Sequence, residues 1–129
     1  MVSRETVIHV RAVLLGFLAL ALLTPFDAGP ETGPASVVTF LLFYGLVLGG
    51  SHLYLALRGE DGMVPVAARW RYLAVLAVLL AGGTAVFYGG ERSVGTIELR
   101  TIGLVVIVVT SIAYLVTESV AGYRASRSE

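Results

Sequence analysis

Charged residues interrupt the apolar pattern of this chain at regular intervals, leaving residues 12–26, 32–57, 72–90 and 101–117 without a single Asp, Glu, Lys or Arg. A helix rises 1.5 Å per residue, so crossing about 30 Å of hydrocarbon takes about 20 residues. The pattern predicts helices over 7–26, 36–57, 70–88 and 97–122. The expected fold is all-α and membrane-integral: an up-down-up-down four-helix transmembrane bundle in a single transmembrane domain, residues 1–129. Pro25 closes the first helix, and the turn-rich segment 27–34 follows it. Ser36 and Thr96 are the expected N-caps of the second and fourth helices. Arg58-Gly59-Glu60-Asp61-Gly62 and Gly89-Gly90 end the second and third. Arg4 and Arg11 before a short apolar run also fit a secretory signal, but the segment is read as a retained helix.

Arginines between the helices set the expected orientation. Arg4, Arg11, Arg58, Arg69, Arg71, Arg124 and Arg127 fall on the side of the termini; Arg92 and Arg100 fall on the other. Both termini are therefore expected in the cytoplasm of a multi-pass protein of the cell membrane.

Composition agrees with this solvent. Hydrophobic residues make up 57% of the chain and charged residues 14%. Soluble domains carry about 25% charge. The absence of cysteine excludes disulfides, thiolate metal sites and cysteine nucleophiles. A net charge of zero gives no electrostatic case for nucleic acid.

An offset of 60 residues aligns Arg11 with Arg71, Leu20-Ala21 with Leu80-Ala81, Thr24 with Thr84, Gly29 with Gly89, Glu31 with Glu91, Ser51 with Ser111, and Tyr54-Leu55 with Tyr114-Leu115. A duplicated helical hairpin would produce this. Apolar composition alone would supply several of the matches.

Polar groups within apolar helices are the natural place to seek function. His52 leads, about five residues before the inner end of the second helix. Gly45, Gly49 and His52 share a helical face, and Gly45–Gly49 form a GxxxG pattern suited to close helix packing. His52 is then either an interhelical hydrogen-bonding group or a ligand for metal, haem or a quinone head group. His9 shares a face with Ala12 and Gly16, a second small-residue stripe expected to pack. His9 and His52 together would make a bis-histidine cofactor site, but their depths differ by about 12 Å by helix rise. No metal or cofactor is expected.

No nucleophile-elbow, phosphate-binding-loop, dinucleotide-binding or HExxH motif occurs, so no enzyme is expected. In length and helix count the chain is similar to small multidrug exporters, but their mid-helix carboxylate has no counterpart in residues 16–21. It is similar in size to fluoride channels but lacks their Gly-rich motif ending in Arg. Neither family is assigned. The expected role is a non-catalytic accessory or packing subunit, or a homo-oligomer. Its partners would be the lipid bilayer and either further copies or a membrane complex. A small transporter or channel, and a redox or ligand-binding protein using His52, are the alternatives. Thr24, Thr39, Tyr44, Thr84 and Thr110 are the residues available to line a path.

Overall fold

A computed structural model describes residues 2–26, 34–62 and 64–127. The expected turn over 27–34 lies outside the described residues except for Pro34. Four helices, each long and apolar enough to cross a membrane, make up nearly all of the rest: α1 (Arg4–Leu23), α2 (Pro34–Leu57), α3 (Val66–Tyr88) and α4 (Leu99–Arg127). A 3-10 turn, Thr24–Phe26, extends α1, and β1 (Ser93–Val94) and β2 (Ile97–Glu98) form a small hairpin before α4.

The helix ends have local causes. α1 starts three residues before the expected Val7, because the Ser3 hydroxyl accepts from the Thr6 N–H at 3.2 Å and Glu5 lies in the first turn. α2 starts at Pro34 rather than after Ser36; proline suits a first helical position, where its missing N–H costs nothing. Its other end is a Schellman motif. Gly59, at φ +66°, donates to the Ala56 carbonyl, and Glu60 donates to Leu55.

α3 starts at Val66, four residues before the expected Trp70. Asp61 Oδ1 accepts from the Val66 N–H at 3.0 Å, and Pro65 precedes the helix. This earlier start draws Arg69 into the first helical turn.

Thr96 does not cap α4. Gly95, at φ +63°, and Thr96 form the two-residue turn that pairs Ser93 with Glu98 and Val94 with Ile97. The helix therefore begins at Leu99 and continues to Arg127, a length of about 44 Å. Arg124 and Arg127 in its last turn complement the helix dipole.

Consecutive helices pack antiparallel. Between α1 and α2, a Cβ on Gly16 would lie 2.7 Å from Val47 Cγ2, and one on Gly50 would lie 3.0 Å from Ala12 Cβ. Phe17 meets Phe43 edge-on at 5.1 Å nearby. Between α2 and α3, Gly49 lies under Leu73 and Leu76, Gly83 under Phe40, and the Tyr72 hydroxyl donates to the Leu48 carbonyl at 2.6 Å. Between α3 and α4, Gly82 faces Gly103. Glycines permit these approaches because no Cβ separates the backbones. The start of α1, the 58–65 connection and the end of α4 thus share one end, the terminal end; the β-hairpin marks the other.

Much of the apolar surface stays outside the core. Leu14, Leu15, Leu18 and Leu22 of α1 are exposed, as are Val105, Val109, Ile112 and Leu115 of α4. Among the described residues of α4, Gly103 is the buried one. Water penalises such surface by about 25 cal/mol per Å², whereas lipid does not.

Candidate functional site

Arg69 is fully buried, with 0% of its surface exposed. It leaves α3 one turn after Pro65 and meets three other segments. Its Nη2 donates to Glu5 Oε1 of α1 at 2.5 Å and to the Asp61 carbonyl at 2.6 Å. Its Nη1 donates to His52 Nδ1 of α2 at 2.9 Å. Arginine has only N–H donors, so His52 Nδ1 must be the acceptor. That assigns His52 the neutral tautomer with its proton on Nε2. The imidazole also rests on the Tyr72 ring, centroid to centroid 4.6 Å.

The connection from α2 to α3 is shaped around this arginine. Gly62 has φ +62°, and a Cβ there would come within 3.0 Å of both Arg69 Nη2 and Glu5 Oε2. Asp61 serves twice: its side chain takes the first free N–H of α3, and its carbonyl takes Arg69. Arg69 Nε is buried and has no partner among the described residues. At the rim, Arg4 reaches Glu60 at 2.5 Å, with 61% and 32% of the two side chains exposed. An exposed pair of this kind contributes about 0–1 kcal/mol.

Other ties lie at the same end. His9 Nδ1 is 3.2 Å from the buried Ser51 hydroxyl, joining α1 to α2. Arg71 holds Glu118 with two donors, Nε to Oε1 at 2.8 Å and Nη2 to Oε2 at 3.3 Å, joining α3 to α4. Adjacent helices are thus tied by polar contacts at the terminal end and by small residues and aromatic rings elsewhere.

His52 and His9 sit in this region with different partners, Arg69 and Ser51. No group of three or more His, Cys, Asp or Glu side chains could hold a metal among the described residues. Ala12, Gly16 and Gly49 sit at helix contacts, and Gly49 and Ala12 are buried. Gly45 differs: a Cβ there would meet nothing within 4 Å, so Gly45 and Gly49 do not form one intrachain packing face. The reason is geometric. Neighbouring helices lie on two sides of α2 and cover Gly49 and Gly50, while Gly45 is left uncovered.

In the sequence Arg69 serves only as an orientation marker, and neither Glu5 nor Gly103 stands out. Pro65 was the available signal for Arg69, since a proline-led start places it one turn inside a helix. Nothing local marked Glu5, whose partner is 64 residues away.

Three of the four threonines proposed for a polar path return to their own helices. The hydroxyls of Thr24, Thr39 and Thr84 donate to the carbonyls of Leu20, Ala35 and Leu80, four residues back. Tyr44 stacks among Phe40 and Phe43. The chain matches no known protein family, no curated protein and no solved structure.

Proposed function

We propose that the chain is a non-catalytic, multi-pass membrane component acting as an accessory subunit or a homo-oligomer. The disposition of its polar groups carries this reading. Apart from Arg100 in the first turn of α4, the charged side chains within the helices gather at the terminal end, where Arg69 and Arg71 are neutralised by carboxylates. Three mid-to-outer threonines spend their donors on their own backbone. A conduction path needs polar groups that offer their hydrogen bonds to the cargo. A catalytic site needs a nucleophile or base directed into a cavity. Apolar α1 and α4 surfaces are left for lipid, another copy or another subunit.

Purified protein in sealed vesicles tests this. Ion and proton fluxes under an imposed gradient should equal those of empty vesicles, and the visible spectrum should show no chromophore. A gradient-dependent flux would favour the transporter reading; a haem absorption band would favour the ligand-binding one.

The orientation proposal places both termini in the cytoplasm of a cell-membrane protein, on the seven-to-two division of arginines between the ends. Reporter fusions after residue 127 should be active only with a cytoplasmic reporter, and fusions at Gly95 only with an exported one. The reverse pattern would overturn it.

A duplicated hairpin draws support from the matched Thr24-to-Leu20 and Thr84-to-Leu80 hydrogen bonds. The packing residues follow another rule: Gly16 and Gly50 correspond to Leu76 and Thr110, not to Gly82 and Gly103. The helical hairpin would be what was copied, with its contacts refined separately.

A further inference from the structure

A groove of about 320 Å³ runs along the outer face of the α1–α2 pair near the terminal end. Leu15 and Leu46 flank it, Ala12 and Gly50 line its depth, and Arg11 and Tyr54 supply its polar groups. We propose that it binds one anionic phospholipid, with the phosphate on Arg11 and Tyr54 and an acyl chain over Gly50 between the two leucines. This rests on the membrane reading above.

Charge complementarity selects the occupant. Arg11 lies well inside α1 and is followed by 15 residues without charge. It makes no ion pair or hydrogen bond among the described residues, whereas Arg4, Arg58, Arg69 and Arg71 each face a carboxylate. The Tyr54 hydroxyl likewise has no partner among the described residues. The Arg58 guanidinium lies over the Tyr54 ring at 5.6 Å, bringing a second cation to the same mouth. Arg4 and Arg58 both face Glu60, so the local balance is positive.

An unpaired guanidinium at the edge of an apolar span reaches toward the phosphate level, with its stem along the helix. Its planar fork takes the two non-bridging phosphate oxygens at once, and a phenol can donate to a remaining lone pair on one of them. A zwitterionic headgroup would bring its own cation toward Arg58, so an anionic headgroup fits better. The small residues matter as well. Gly50 and Ala12 project too little to fill the groove, and a chain there covers surface that side chains leave bare.

The test uses the full chain extracted in detergent, with phosphatidylglycerol and phosphatidylcholine of identical acyl chains as probes. Native mass spectrometry counts the lipids retained. The wild-type chain is expected to retain one phosphatidylglycerol about tenfold more readily than phosphatidylcholine. Arg11→Gln should remove that preference, Arg11→Lys should keep part of it, and Tyr54→Phe should weaken it a few-fold. Arg124→Gln, at the exposed end of α4, should leave it intact.

Equal retention of the two lipids by the wild-type chain would overturn the site, as would an undiminished preference in both the Arg11→Gln and Tyr54→Phe chains. Displacement of the lipid by millimolar inorganic phosphate would mark a plain anion site and overturn the lipid assignment. Recovery of the wild-type chain in the soluble fraction without detergent would overturn the membrane reading itself. Loss of lipid preference from a detergent-extracted chain would leave that reading standing.

Discussion

Substituting Arg69 with methionine is expected to destabilise the chain by about 3–5 kcal/mol, the range for breaking one partner out of a buried ion pair. The change leaves the Glu5 carboxylate, the Asp61 carbonyl and His52 Nδ1 without the donor they share. Glu5 keeps 17% of its side chain exposed, so water recovers part of the loss and the lower half of the range is the better guide. Adding Glu5→Gln to Arg69→Met should restore a substantial share, because the double variant no longer buries an uncompensated charge. Glu5→Gln alone should cost less than Arg69→Met, since the amide oxygen still accepts from Nη2. At the third partner, His52→Gln should be tolerated better than His52→Leu, which removes the acceptor and should cost about 0.6–2 kcal/mol. Unfolding in mixed micelles, followed by helical circular dichroism, measures all of these. Arg69→Met within about 0.5 kcal/mol of wild type, or a double variant no better than the single, would remove Arg69 from its place as the central tie.

The helices were legible in the sequence, while the tie among them was not. Four uncharged stretches bounded by arginines, glycines and prolines announce four apolar helices, because the constraint is local: charge is costly near the middle of a span of about 20 residues. Capping is local too, but Ser3 and Pro65 precede Arg4 and Arg69, charged residues that the arginine pattern assigns to connecting segments. Both charges are instead inside helices, and the Arg69 charge is compensated by Glu5 from the far end of the sequence. A pairing across 64 residues leaves no periodic trace in one chain. His52 was visible as a polar residue on a helix, and its neighbourhood was not. Whether an imidazole faces an arginine, a hydroxyl or an iron depends on which helices stand beside it. Gly45 shows the same limit from the other side. A GxxxG pattern names two glycines one turn apart, but the placement of neighbouring helices decides which of them is covered.

Alanine at Gly103 is expected to cost about 1–3 kcal/mol, although it adds only a methyl group and improves helix propensity. The new Cβ would lie 2.6 Å from the Gly82 carbonyl oxygen, 2.9 Å from Ala85 Cβ and 3.0 Å from Val86 Cγ2. A backbone oxygen and a Cβ cannot rotate out of the way, so α3 and α4 must separate, loosening contacts along their length. Gly49→Ala meets a different neighbour. Its Cβ would approach Leu76 Cδ2 at 2.7 Å, the far end of a side chain that can change rotamer, so a smaller loss is expected. Gly45→Ala meets nothing within 4 Å and should be neutral, or stabilising by up to about 1 kcal/mol through helix propensity. The same micellar unfolding assay ranks the three. The order Gly103, Gly49, Gly45 follows from what each methyl group would touch. Equal losses at all three would mean that glycine acts here through the flexibility of each helix rather than through the approach of its neighbours. A loss at Gly45 comparable to that at Gly103, accompanied by a fall in oligomer mass, would instead place the uncovered face of α2 at Gly45 against a second copy of the chain.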